Sequence, residues 1–246
     1  AKKCFEQDKI KILTSTTMKN IKSTKFGVEA EFIDKNGEKH KLKYSRAIVA
    51  IGIDANIENL GLDTVNIKQD GGMILTDNNN ETSEKGIFAI GDLTGAPWLA
   101  HKASHEGINA VDYIHNPKRN NKHNKIIPGC TYSRPQIASI GLTEEKAIAN
   151  GIKIKKGKFP LLGNGKAISL GNSDGFVKTI FNAETGELIG AHMIGPEVTE
   201  LISTYSIAMQ LEATELDLIN TIFPHPTVSE SIHESVLDAY DRALHI

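Results

Sequence analysis

Cysteine is almost missing from this chain: 246 residues contain two, Cys4 and Cys130. A disulfide framework needs an even, closely spaced set, so none is expected, and a reducing compartment (a bacterial cytoplasm or the mitochondrial matrix) is the default. Neither sign of charge dominates, with 28 basic against 30 acidic residues, which removes the usual basis for binding nucleic acid or an anionic membrane. No apolar run approaches the roughly 18 residues of a membrane span, and no secretory signal opens the chain. Glycine is present at 21 positions, yet Gly-x-Gly-x-x-Gly occurs nowhere, so the usual pyrophosphate cradle is absent. A Cys-x-x-x-x-Cys pair is absent as well. Ala1 to Lys9 has helical spacing without a start signal, from which an upstream portion is expected.

What is present is concentrated at the other end, in Phe223-Pro224-His225-Pro226-Thr227-Val228-Ser229-Glu230. Each proline fixes its own φ near about −65° and restricts the residue before it, so the backbone around His225 is stiff before any tertiary contact forms. Pro226 suits the first turn of a helix, and Ile232, Val236, Leu237 and Tyr240 give that helix an apolar stripe over Ser231 to Arg242. Glu230, one turn in, could reach the His225 ring. A carboxylate on one imidazole nitrogen fixes the tautomer and leaves the other nitrogen as a base. A second reading competes: Thr227-x-x-Glu230 is also a capping box, which would spend Glu230 on backbone amides.

The remaining chain reads in three stretches. Residues 1–57 hold short strands: Ile10 to Leu13, a hairpin of Phe26 to Ile33 with Lys39 to Tyr44 around Asp34-Lys35-Asn36-Gly37, and a buried run from Ala47 to Gly52. Gly52 either makes a tight turn or lets backbone approach a ligand. In residues 58–125, Lys85 to Asp92 reads as a strand ending in Gly-Asp, followed by a helix opened by Pro97 and beginning at Trp98. An acid at a strand end beside a helix start favours a bound anionic or hydroxyl-bearing ligand, although Asp92 could equally cap its own loop. His101 and His105 have zinc-compatible spacing but no third ligand, and read as solvated, with no metal expected. The polar stretch Asn116 to Lys125 is a linker. Residues 126–246 show strands first and helices afterwards, an α+β domain whose antiparallel sheet is covered on one face. The fold class is therefore α/β followed by α+β.

His-Pro-Thr-x-Ser-Glu near the C-terminus resembles the signature of the flavin-dependent disulfide reductases. Ala89-Ile90-Gly91-Asp92 followed by Leu99-Ala100-His101-Lys102-Ala103 and Glu106-Gly107 is similar to their dihydrolipoamide-oxidising branch. The resemblance implies FAD and NAD as cofactors, with Asp92 on the flavin ribityl chain and Trp98, Leu99, Ala100 and His101 lining the flavin. Trp98 departs from the methionine usual at its place. Gly52 would end an NAD-binding domain, 58–125 would be a flavin-side segment with its linker, and 126–246 the dimer interface. His225 and Glu230 would be the catalytic acid/base pair, acting on the other subunit of a homodimer that docks on the acyltransferase core of a 2-oxo acid dehydrogenase complex. Without the cysteine pair and both cradles, the chain alone is expected to be inactive. The readings kept beside this one are a glutathione- or mercuric-reductase-like enzyme and a non-catalytic dimerisation module.

Overall fold

The computed structural model describes residues 1–118 and 126–245; positions 119–125 of the expected linker lie outside the described residues. The chain divides into two compact units, Ala1–Asp54 and Ala55–Ile246.

In the first unit a short helix α1 (Lys2–Gln7) precedes three strands, β1 (Thr17–Thr24), β2 (Gly27–Ile33) and β3 (Lys39–Tyr44), paired antiparallel in the order β1-β2-β3. The expected hairpin is β2–β3. Its turn is tied by Asp34, whose Oδ1 accepts the N–H groups of Asn36 at 2.9 Å and Glu38 at 3.0 Å, the local bonding for which aspartate favours turns. Alternation along β2 buries Ala30 and Phe32. The strands expected at Ile10 to Leu13 and Ala47 to Gly52 do not form. Apolar content alone does not make a strand: it needs a neighbour to complete its backbone hydrogen bonds, and no described strand pairs with either run. Ile48 and Ile51 are instead 94% and 93% exposed. The strand that does form first, β1, carries no alternating pattern because every one of its residues is exposed. It is held by a short reversal into β2, with Thr24 opposite Gly27.

In the second unit, β4 (Gln69–Asp70) and β5 (Met73–Ile74) form a minimal hairpin. The expected strand from Lys85 to Asp92 reduces to an isolated bridge between Glu81 and Phe88, after which Gly91–Thr94 makes a 3-10 turn. Helix α2 then runs Ala100–His115, two residues later than Pro97-Trp98 suggested. A five-stranded antiparallel sheet follows, built from β6 (Gly129–Thr131), β7 (Gln136–Gly141), β8 (Ile154–Pro160), β9 (Phe176–Asn182) and β10 (Leu188–Gly195) in the order β6-β7-β10-β9-β8. Short helices α3 (Glu144–Ala149) and α4 (Gly165–Ser169) lie between its strands, and α5 (Val198–Gln210), α6 (Glu215–Ile219) and α7 (Glu230–Asp238) come after it. Thr143 caps α3, accepting the Lys146 N–H at 3.2 Å.

Register explains why one face is covered. Ala138 pairs with Met193 and Met193 with Val177, while Ile140 pairs with Ala191 and Ala191 with Thr179. These residues share a face, and α5 and α7 bury it with Ile202, Tyr205, Ile232 and Val236. Their alternates, Ser139, His192 and Lys178, form the polar row behind. Each large side chain removed from water here contributes about 1.5–3 kcal/mol. Tyr205 is fully buried; its hydroxyl lies 3.2 Å from Ser235 Oγ, and burial pushes its phenol up. The Thr179 hydroxyl donates to the Ser235 carbonyl at 3.0 Å. Gly157 of β8 lies directly beneath α7: a Cβ there would run into the Ser235 carbonyl and the Ala239 amide. No helix among the described residues is long and apolar enough to cross a membrane.

Candidate active site

His225 sits on the loop between α6 and α7, with its ring 80% exposed. Its Nδ1 lies 2.9 Å from Glu230 Oε1, and Glu230 Oε2 accepts the Thr227 N–H at 2.9 Å. One carboxylate oxygen thus pairs with the imidazole and the other takes a backbone amide, but the capping box itself does not form. Thr227 is not the cap, since its hydroxyl turns back to donate to the Pro224 carbonyl at 2.7 Å. Helix α7 begins at Glu230 itself rather than at Pro226, and ends at Asp238 rather than Arg242. Thr227 remains in the loop because its N–H and its hydroxyl are both spent on local acceptors, Glu230 Oε2 and the Pro224 carbonyl. Val228, 6% exposed, plugs this loop into the core.

Burial works against charge on Glu230, but hydrogen bonds from the Thr227 amide and from His225 outweigh it and hold the carboxyl below its usual range. A carboxyl lowered on folding adds stability that is fully present above its unfolded value and is lost as pH falls through the lower folded value. Glu230→Gln should therefore flatten the acid limb of a stability-versus-pH curve, below about pH 4.5. Urea denaturation of both proteins between neutral and acid pH measures this; parallel curves would mean that the hydrogen bonds to Glu230 persist in the unfolded chain.

Asp92 lies on the Gly91–Thr94 turn, exposed. Gly91 takes φ +75° there and is buried, a combination that suits glycine. Two residues left without a role in the sequence reading hold this turn: Lys102 and Glu106, four apart on α2, their side chains 9% and 16% exposed and joined at 2.8 Å. Glu106 Oε2 accepts the Gly91 N–H at 2.7 Å. Lys102 Nζ donates to Thr94 Oγ1 at 3.0 Å and to the Gly95 carbonyl at 3.2 Å. Opposite charges at i and i+4 were the signal available. The first turn of α2 follows Leu99, which supplies no side-chain cap, so its amides stay open to an acceptor. Trp98 is 41% exposed just before it. His101, on that first turn, is not simply solvated: its Nε2 donates to the Pro128 carbonyl at 2.8 Å. Gly52 belongs to the first unit, keeps a φ of +133°, and has nothing within 4 Å of a Cβ position. Among the described residues no hydrogen bond or ion pair joins the Asp92 turn to the His225 loop.

Two sequence models match, together covering most of the chain: the pyridine nucleotide-disulphide oxidoreductase domain over residues 1–107 and the dimerisation domain of the same family over residues 127–236. The chain belongs to the pyridine nucleotide-disulphide oxidoreductases. Curated members of this family include the dihydrolipoyl dehydrogenase of Zymomonas mobilis, 51% identical with 99% of this chain and 52% of that protein aligned. That of Rhizobium etli is 47% identical, with 99% and 51% aligned. Among solved members, LpdA of Mycobacterium tuberculosis superposes with a TM-score of 0.82 at 26% identity, covering 95% of this chain and 50% of that one. The flavoprotein disulfide reductase RclA of Escherichia coli, at 19% identity over 96% of this chain and 53% of its own, shares the fold with a TM-score of 0.83. This chain spans about half the length of the relatives it matches. Members of the family use a flavin and a nicotinamide nucleotide.

Proposed function

We propose that the chain is the C-terminal part of a dihydrolipoyl dehydrogenase, which oxidises dihydrolipoyl groups and passes the electrons through a disulfide and FAD to NAD⁺. The observation that carries this reading is the 2.9 Å contact between His225 Nδ1 and Glu230 Oε1, on a ring that leaves Nε2 without a partner among the described residues. Glu230 holds the proton on Nδ1, so Nε2 keeps the lone pair that accepts a proton from a substrate thiol. The thiolate is the attacking species in exchange with a disulfide. The imidazolium that results sits against a carboxylate held ionised by two hydrogen bonds, which lowers the cost of forming it.

FAD, when bound, supplies the two-electron relay between dithiol and nicotinamide. The residues around the Gly91 turn fit it: an exposed acid, Asp92, can meet a hydroxyl of the ribityl chain, and the uncapped start of α2 at Ala100 and His101 offers N–H groups and a positive dipole end to an electron-rich ring edge. Trp98 and Leu99 would line the ring system, and Gly52 would close the nicotinamide nucleotide domain. We assign residues 1–57 to that domain, 58–125 to the flavin side and 126–246 to the interface. A homodimer accords with the dimerisation-domain match and with exposed apolar side chains such as Tyr132 and Ile222, 82% and 94% accessible. The acyltransferase core of a 2-oxo acid dehydrogenase complex is the proposed partner, and a bacterial cytoplasm or mitochondrial matrix the proposed compartment. Glutathione- and mercuric-reductase readings are not favoured by the relatives above.

The test is turnover of the full-length protein with dihydrolipoamide and NAD⁺ against glutathione disulfide and NADPH. Faster dihydrolipoamide oxidation is expected; faster glutathione reduction would overturn the assignment.

A further inference from the structure

Asn164 is a buried polar side chain, 3% exposed, far from the catalytic loop in sequence. Its Oδ1 accepts the Ala167 N–H at 2.8 Å and caps α4. Its Nδ2 donates to the Thr227 carbonyl at 3.0 Å. A backbone N–H can only donate and a carbonyl can only accept, so the two partners fix which end of the amide is which. Thr227 is consequently gripped twice: its N–H goes to Glu230 Oε2 at 2.9 Å and its C=O to Asn164. Only Pro226, which has one soft backbone angle fewer than other residues, separates Thr227 from His225.

The post that Asn164 stands on is itself held without help from the His225 loop. A Cβ on Gly163 would press on the Phe159 ring at 2.9 Å and on the His245 carbonyl at 3.1 Å, so that segment is packed on both sides. His245 is clasped in turn by the buried Glu234, which accepts the N–H groups of Leu244 at 3.0 Å and His245 at 3.2 Å and meets His245 Nδ1 at 2.8 Å.

We propose that Asn164 is a positioning residue for the His225–Glu230 pair: by fixing the Thr227 carbonyl it keeps one oxygen of Glu230 on the Thr227 amide and the other on His225 Nδ1. The inference rests on reading His225 as the base. If Asn164 released Thr227, the loop would turn about Pro226, Glu230 would follow the amide, and the imidazole would lose the partner that selects its tautomer. An Asn164 that merely caps α4 would have no such effect.

The experiment separates the two duties of the amide. Asn164→Asp and Asn164→Ser both keep an oxygen able to cap α4, since aspartate and serine are good N-caps, but neither offers a donor that reaches Thr227. Side-chain ¹⁵N spectra of His225 in this chain, recorded at alkaline pH, report the neutral tautomer directly. Wild type should show one tautomer, protonated on Nδ1. Both variants should lose that signature and show a mixture, with helix content by circular dichroism unchanged. A single Nδ1–H tautomer retained in both variants would overturn the proposal. So would collapse of the fold in both, which would assign Asn164 to the core alone. The spectra do not depend on turnover, so a catalytic role for His225 can fail in rate measurements while the positioning by Asn164 stands, and the reverse.

Discussion

His225→Gln in the full-length enzyme is expected to lower dihydrolipoamide turnover by about 10²-fold or more, the scale set by loss of a positioned general base. Glutamine fills a similar volume and can still hydrogen-bond Glu230, so folding should be spared because the ring is 80% exposed and supports no core. The loss should shrink as pH rises, where more substrate thiol is already ionised and needs no base. Glu230→Gln should cost less. Its carbonyl oxygen would stay on the Thr227 amide, leaving its NH₂ to face Nδ1 and press the ring towards the other tautomer, but an exposed ring can turn to escape. Steady-state rates of both variants across pH decide the matter. A near wild-type rate for His225→Gln would return the motif to a loop-closing role, and a larger loss for Glu230→Gln would give the carboxylate a part in the proton transfer itself.

The second large effect is expected at Lys102 and Glu106. Breaking a largely buried ion pair by removing one partner leaves an uncompensated charge and costs about 3–5 kcal/mol. Lys102→Met should therefore destabilise the second unit by roughly the lower end of that range, since its side chain keeps 9% exposure and Glu106 keeps 16%. The variant also frees the Thr94 hydroxyl and the Gly95 carbonyl from their shared donor, so the turn bearing Asp92 should loosen and flavin retention through gel filtration should fall. The double variant Lys102→Met, Glu106→Gln should recover much of the stability, because a neutral pair needs no partner charge, yet it should not restore the turn. Urea denaturation with a visible absorption spectrum of each variant tests both parts. Unchanged stability in Lys102→Met would mean that water reaches Glu106.

Much of this was legible in the sequence, and the failures share one cause. In residues 126–246 the order of strands before helices is legible because alternation gives way to helical spacing, and the sheet alternates where its packed face meets α5 and α7 and a polar row lies behind. Ala47 to Gly52 and Ile10 to Leu13 were misread because an apolar run records a preference for burial, not the presence of a neighbour. Lys85 to Asp92 failed for a related reason: its hydrogen bonds go to Thr82, Asn80 and Glu106, side-on contacts that leave no ladder. The His225–Glu230 pair was visible because its spacing is short. Asn164 was invisible because its partner lies 63 residues away, and only the folded chain brings Thr227 to it.

The bare backbone of Gly157 beneath α7 has a consequence for the site above it. Most helices rest on side chains, whose rotamers can shift by a few tenths of an ångström and absorb a disturbance before the axis moves. Here main chain lies on main chain at Ser235 and Ala239, and main chain has no rotamers to give. Ser235 stands five residues along from Glu230, about 7.5 Å at the rise of an α-helix. The helix is therefore a lever resting on an incompressible fulcrum, and the carboxylate at its tip inherits its height from the β8 backbone at Gly157.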